Sequence, residues 1–504
     1  MNEGSPATAP NDANVPPGSL SRDGAPLGGP EPVTPESGAS GGSLPAASAI
    51  DRTRLPEPGP PKAFSLPRVE KSQLSNGLRV WSVNHATVPV ISFVFLLRSG
   101  SASDPPGQEG LAALTADMLD EGSAGRSAIE MHEALARIGA QLDTSIGPDA
   151  VVIGVTVLSR FADQAVQLLA DIVVRPSLAD ADLLRVRQHR VHRLAQLGDL
   201  PAAVADRTLV GLLYGAHPYG HTPIGSRQSV GALSADDVRA FHARVFRPAE
   251  AVLVAVGDCE AARIEELAEQ AFDGWRGTGP EGAGVVSADW VRVEHQTRLY
   301  GVPRPGAPQS ELRIGQVAAA RDTPDYHALV TANTILGGQF VSRINLNLRE
   351  DKGLTYGART AFEFRRMPGP FTLHAAVQTK GTARAITESI GEIGGIRGPR
   401  TASAGEIALA AAALTKGHAR HFETSEQIAR AVTELALYDL PDDYFAEFVA
   451  RIEAVSASDV TRVAAQYLDP EGLIVLVVGD LDAIAGELSG LGLGNLVVLP
   501  VNPF

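Results

Sequence analysis

The chain has 504 residues, of which 44% are hydrophobic and 20% are charged, a composition typical of a soluble globular protein with two or more domains. Its formal net charge of -15 argues against nucleic-acid binding, which needs a basic surface to displace counterions from phosphates. The single cysteine, Cys259, excludes an intramolecular disulfide and a cysteine-built zinc site, and no apolar run approaches the roughly 20 residues of a membrane helix.

The first 63 residues differ in composition from the rest of the chain. They contain 13 Pro and 9 Gly but no aromatic residue, so they lack the apolar surface needed to offset the entropy of ordering. We predict a disordered tail over residues 1–63, with a tether to an envelope or partner as the functional alternative. No basic start followed by an apolar stretch is visible, which favours the cytoplasm, or the cell envelope if a signal was missed or trimmed.

The periodicity of the first domain predicts alternating strands and helices. Asn76 and Gly77 form a hairpin-type turn signal before the first strand, and Ser234 caps a helix that carries Asp236 and Asp237 in its first turn. Strands are predicted over residues 78–83, 90–97, 151–158 and 251–256, and helices over residues 110–119, 161–174 and 183–197.

An internal repeat defines the domain organisation. Residues 233–258 and 455–480 align without a gap and share nine identities across a helix, a Pro-containing turn and a strand ending in Gly-Asp. We therefore predict two tandem homologous α+β domains, each a mostly antiparallel sheet with helices packed on one face. The predicted boundaries are residues 64–273 for the first domain, 274–286 for a Gly-rich linker and 287–504 for the second domain.

Three segments of the first domain carry a family resemblance. The segments NGLRVW (76–81), VISFVFLLRSGSASDPPGQEGLA (90–112) and HPYG (217–220) resemble those of insulinase/pitrilysin-type zinc peptidases. The resemblance extends from about residue 65 to the C-terminus. It implies that the two domains form half of a clamshell.

The resemblance also locates a zinc motif that this chain has lost. In active members, the helix after the first strand carries His-x-x-Glu-His, which supplies two zinc ligands and the general base. The corresponding positions here are Ala113, Ala116 and Asp117, and the window of the third ligand, residues 187–194, contains no Glu. Such a site needs three protein ligands, so we expect no metal in this chain.

A second motif of the family is kept in the second domain. The segment LREDKGLTY (348–356) contains Arg349 and Tyr356, which resemble the Arg/Tyr pair that members place opposite the zinc helix. The resemblance implies that these residues orient the scissile carbonyl and stabilise the oxyanion. Only Gly337 and Gly338 stand where the non-catalytic subunit of mitochondrial processing peptidase has a long glycine-rich loop.

The resemblance therefore implies a pseudo-peptidase that acts as the substrate-binding or regulatory subunit of a heterodimeric zinc metallopeptidase, as in bacterial two-subunit enzymes. The expected partners are a zinc-bearing homologous subunit and a peptide substrate, and zinc is the partner's cofactor. Two alternatives stay open. One is a non-enzymatic structural or assembly subunit, like core subunits of the respiratory cytochrome complex, and the other is a homodimeric peptide-binding protein.

Overall fold

The computed structural model describes residues 67–277, 293–295 and 297–500. The predicted tail at residues 1–63 and most of the predicted linker lie outside these ranges. No helix within them is both long and apolar enough to cross a membrane.

The first half of the described chain forms one six-stranded sheet, a two-stranded hairpin and eight helices. The strands are β1 (Glu70–Gln73), β2 (Arg79–Asn84), β3 (Val90–Leu97), β4 (Gly122–Ser123), β5 (Arg126–Ser127), β6 (Leu142–Ile146), β7 (Val151–Leu158) and β8 (Ala251–Gly257). The helices are α1 (Leu111–Met118), α2 (Ala128–Arg137), α3 (Ala162–Val174), α4 (Asp180–Asp199), α5 (Pro201–Tyr214), α6 (Arg227–Ala232), α7 (Ala235–Val245) and α8 (Ala261–Ala271).

The second half repeats this architecture. The strands are β9 (Leu299–Pro303), β10 (Gln309–Val317), β11 (Thr355–Phe362), β12 (Pro370–Gln378), β13 (Ile474–Gly479) and β14 (Val497–Val498). The helices are α9 (Tyr326–Asn333), α10 (Arg343–Asn345), α11 (Thr382–Ile396), α12 (Ala404–Thr415), α13 (Ser425–Tyr438), α14 (Tyr444–Glu453), α15 (Ala457–Tyr467) and α16 (Leu481–Ser489). Two π-helical turns, Thr334–Gly338 and Leu346–Asp351, extend α9 and α10.

The two sheets have corresponding strand orders, β1-β2-β8-β3-β7-β6 and β14-β9-β13-β10-β12-β11. Most neighbouring strands are antiparallel, while β2–β8, β9–β13 and β9–β14 are parallel. The repeat seen in the sequence places α7 and β8 at positions equivalent to α15 and β13. The α+β class with two tandem domains, predicted from the sequence, is confirmed.

The two halves also exchange a helix, which the sequence did not predict. Helix α5 packs on β10 and β13 of the second sheet, and α13 packs on β3 and β8 of the first. The α13 side chains Val432 and Leu435 are fully buried in one cluster with Val83, Val252 and Val254 of the first sheet. One face of each sheet is therefore covered by a helix from the other half. The two halves are joined by hydrophobic side chains that both contribute.

The HPYG segment has a structural role in joining the halves. The Tyr219 hydroxyl donates to the carboxylate of Asp149 and accepts the Met367 N–H at 3.2 Å. The other carboxylate oxygen of Asp149 accepts the Arg366 N–H at 2.8 Å. Burial raises the pKa of Tyr219 above its usual range, so this phenol stays a donor. A buried hydrogen-bond chain thus fixes the 217–220 loop against the second domain.

Candidate functional site

Helix α1, which the sequence resemblance predicts to correspond to the zinc helix of insulinase/pitrilysin-type peptidases, is a buried structural element. Ala113 and Ala116 are 1% and 4% exposed. The carboxylate of Asp104 accepts the N–H groups of Gly110 and Ala112 at 2.7 and 2.6 Å, which fixes the start of the helix. Burial raises the pKa of Asp104 to about 7, against the lowering effect of these two hydrogen bonds.

Helix α4 presents an arginine to α1 where the family's third zinc ligand is expected. The guanidinium of Arg190 donates to the carboxylate of Asp117 and, at 3.0 Å, to the carbonyl of Ala113. The Arg190 side chain is 10% exposed, whereas that of Asp117 is 47% exposed. A fixed cation thus links α1 and α4, the two helices on which the resemblance predicted the metal-ligand positions.

These side chains do not fit a zinc ion. Two methyl groups offer no ligand atoms, Asp117 is already paired, and the permanent charge of Arg190 would repel a dication. Within the described ranges, no group of three or more His, Cys, Asp or Glu side chains is arranged to hold a metal ion. Asp117, one of the three zinc-motif positions, forms an ion pair with Arg190.

We expect Arg190→Met to destabilise the protein by about 1–3 kcal/mol, since it removes the side-chain donor to the Ala113 carbonyl and leaves Asp117 without its counter-ion. The loss of stability should lie at the low end of this range, because the Asp117 side chain is partly exposed to water. Urea unfolding checks this, with Arg193→Met, an exposed arginine on the same helix, expected to change stability by less than about 0.5 kcal/mol. Equal effects of the two variants would refute the bridging role, and added zinc should rescue neither.

Arg349 lies in the second domain, on the π-helical turn Leu346–Asp351. Its guanidinium carbon lies 4.1 Å from the centroid of the Phe340 ring, and Nε lies 3.5 Å from a carboxylate oxygen of Glu350. The Nη1 atom is buried and has no hydrogen-bond partner in the structure. A buried charged donor without a partner costs free energy, so this atom is a candidate for contact with a bound ligand.

Tyr356 lies at a β-bulge near the start of the edge strand β11. Thr355 pairs with Val377 and Ala358 with Ala375, so Tyr356 and Gly357 together face the single residue Ala376. Bulges re-aim side chains, and the Tyr356 side chain is 92% exposed. The structure therefore places both predicted residues at one edge of the second sheet, on adjacent packed segments. Their roles in catalysis stay a prediction.

Three exposed apolar side chains lie on the segments that lead to Arg349, and the sequence analysis missed them. Phe340, Val341 and Leu346 are 62%, 46% and 44% exposed, and all three lie on the loop and helix that carry Arg349. Apolar groups concentrated in this way mark interaction sites more often than bare surface does. Their signal in the sequence was the apolar pair Phe340-Val341, which follows Gly337, Gly338 and Gln339 in a segment that otherwise reads as a polar turn.

Comparisons with known proteins show the family to which this chain belongs. Residues 79–222 match the family model described as Insulinase (Peptidase family M16), and residues 232–400 match the model described as Peptidase M16 inactive domain. Together the two matches cover more than half of the chain.

The chain belongs to the M16 peptidase family.

Three known proteins are similar to this M16 chain in sequence or in fold. An uncharacterized zinc protease of Mycobacterium tuberculosis is 28% identical over 326 residues, 63% of this chain and 72% of the relative. Subunit 1 of the mitochondrial cytochrome b-c1 complex of Bos taurus is 26% identical over 273 residues, 54% of this chain and 56% of that protein. The crystal structure of a peptidase M16 inactive domain from Pseudomonas fluorescens superposes with a TM-score of 0.75 at 23% identity, over 82% of this chain and 98% of that one.

Proposed function

We propose that this M16 chain is a non-catalytic subunit that positions peptide substrates in the active site of a zinc-bearing partner. The observation that carries the proposal is the contrast between its two sites. On helix α1, Asp117 is already paired with Arg190, while Arg349 keeps an unpartnered guanidinium nitrogen on a segment that packs against the strand of the exposed Tyr356. In this proposal, helix α1 lacks the metal ligands and the general base that peptide cleavage requires, whereas Arg349 and Tyr356 can still bind a peptide.

In this proposal the partner's chain supplies the metal and the general base. Arg349 and Tyr356 supply hydrogen-bond donors, one a guanidinium and one a phenol hydroxyl. Both suit the carbonyl of an extended peptide, and they would gain strength as negative charge develops on its oxygen. The exposed side chains of Phe340, Val341 and Leu346 would form part of the wall along which the peptide lies.

The test is reconstitution with a zinc-bearing M16 homologue from the same organism, one that carries His-x-x-Glu-His. The two proteins are mixed, separated by size-exclusion chromatography and assayed on a quenched fluorescent peptide library. We expect a joint peak that cleaves peptides faster than either chain alone. If the pair forms but cleaves no faster than the zinc chain alone, the positioning role is wrong.

The similarity to a cytochrome b-c1 complex subunit favours a second candidate, a structural subunit that takes no part in cleavage. This candidate predicts that the chain purifies from its native cell with a larger assembly and that no zinc-bearing M16 chain accompanies it. Mass spectrometry of the native complex distinguishes the two, because the proposed function requires a zinc-bearing M16 chain in the same peak.

A further inference from the structure

Three consecutive segments precede the edge strand that carries Tyr356, and the first and third of them pack directly on it. They are the π-helical turn Thr334–Gly338, the loop of residues 339–342 that carries Phe340, and the helix of residues 343–351 that carries Arg349. The turn approaches β11 so closely that a Cβ at Gly337 would lie 2.5 Å from the Thr360 hydroxyl. The outer edge of β11 is therefore closed by these segments rather than open to solvent.

One side chain of the helix, Asn345, is hydrogen-bonded both to the Phe340 loop and to the edge strand β11. The Oδ1 atom of Asn345 accepts the backbone N–H of Ala358 at 2.8 Å, and its Nδ2 atom donates to the carbonyl of Gln339 at 3.3 Å. Asn345 is 8% exposed, so water does not substitute for these partners. It belongs to α10, next to the turn that carries Arg349, and its two bonds reach the bulged strand and the base of the Phe340 loop.

The bulge needs such support on its outer side. On the inner side, the Thr355 hydroxyl donates to the Ala376 carbonyl at 2.7 Å and accepts the Gly357 N–H at 3.1 Å. On the outer side, the first residue after the bulge, Ala358, has its N–H directed away from β12, where Asn345 receives it. Without this acceptor a buried N–H would lose its partner and the bulge would be anchored from one side only.

We propose that Asn345 is a positioning residue that fixes Tyr356 and Phe340 relative to Arg349. This inference rests on the proposed function for its catalytic consequence, but the clamp itself is a property of the isolated chain. Asn345 touches no substrate. It acts by holding three segments that present the ligand-facing groups, and a shift of about 1 Å in such groups can cost roughly 10²-fold in rate.

The experiment compares three variants. Asn345→Leu keeps the volume but removes both hydrogen bonds, while Asn345→Asp keeps the acceptor for Ala358 and loses the donor to Gln339. Asn347→Leu is the matched control, since Asn347 donates to Glu388 and Glu392 on α11 and has no hydrogen bond to β11. Hydrogen exchange at the Ala358 amide is measured in the isolated chain, and kcat and KM are measured in the reconstituted pair.

We expect Asn345→Leu to speed exchange at Ala358 about tenfold and to lower kcat by roughly 10- to 100-fold with KM little changed. Asn345→Asp should keep Ala358 close to wild-type exchange and recover most of kcat, and Asn347→Leu should leave Ala358 exchange unchanged. Wild-type exchange at Ala358 in Asn345→Leu, or unchanged kcat despite faster exchange, would overturn the inference.

Failure of the proposed function gives a different experimental result from failure of the Asn345 inference. If the wild-type pair cleaves no peptide, the proposed function fails, and exchange at Ala358 in the isolated chain still decides whether Asn345 is the clamp. Should Asn345→Leu not fold, Asn345→Ala is the second variant. It removes the same two hydrogen bonds with a smaller side chain, and the same two exchange outcomes apply to it.

Discussion

Arg349→Ala should lower the kcat of the reconstituted pair by about 10²–10³-fold, the cost typical of removing one oxyanion donor. In the proposed function the donor would be in place before substrate arrives, because the Phe340 ring packs against the guanidinium and Nη1 has no internal partner. A group that acts mainly on the transition state changes kcat rather than KM, so KM should move by less than about threefold.

Arg349→Lys sharpens this prediction. Lysine keeps the charge but loses the planar fork and its stacking on Phe340, so it should restore only a small part of the activity. Arg359→Ala removes an exposed arginine from the strand that carries Tyr356 and is the control expected to retain full activity. Wild-type kcat in Arg349→Ala, with the pair still assembled, would show that the Arg/Tyr assignment is wrong.

Leu435→Ala should destabilise the protein by about 2–5 kcal/mol, the range for deleting a fully buried leucine from a packed core. Leu435 belongs to α13 of the second half but is buried in the cluster that covers the outer face of the first sheet. The substitution therefore opens a cavity between the halves and should weaken the first sheet as well as its own domain.

Urea unfolding followed by tryptophan fluorescence measures this effect, since Trp81 lies in the same cluster as Leu435. Leu409→Ala is the matched control, because Leu409 is a helical leucine that is 46% exposed, and its effect should stay within about 0.5 kcal/mol. A Leu435→Ala effect as small as that of the control would contradict the exchange of helices between the halves.

The elements predicted from periodicity in the first domain agree closely with the structure. The predicted strand at residues 90–97 is β3, and the helix predicted after Ser234 is α7, with Ser234 and Asp237 forming a capping box. These succeed because an apolar period and a cap are local properties of the chain. The internal repeat succeeded for a similar reason, since it compares one segment with another and needs no tertiary information.

The features that the sequence could not supply are tertiary. The apolar face of α13 shows that Leu435 is buried, but not that the covering sheet belongs to the other half. The missing zinc ligands were visible, whereas the link from Arg190 to Asp117 depends on how α4 packs on α1. The bulge at Tyr356 depends on the register between β11 and β12, and this register cannot be read from the sequence of β11 alone.

The zinc content and peptidase activity of the purified, isolated chain test the central claim most directly. The account predicts no stoichiometric zinc and no peptide hydrolysis from this chain alone, and hydrolysis once the zinc-bearing homologue is added. A stoichiometric zinc atom bound to the isolated chain, together with cleavage of peptides, would contradict it.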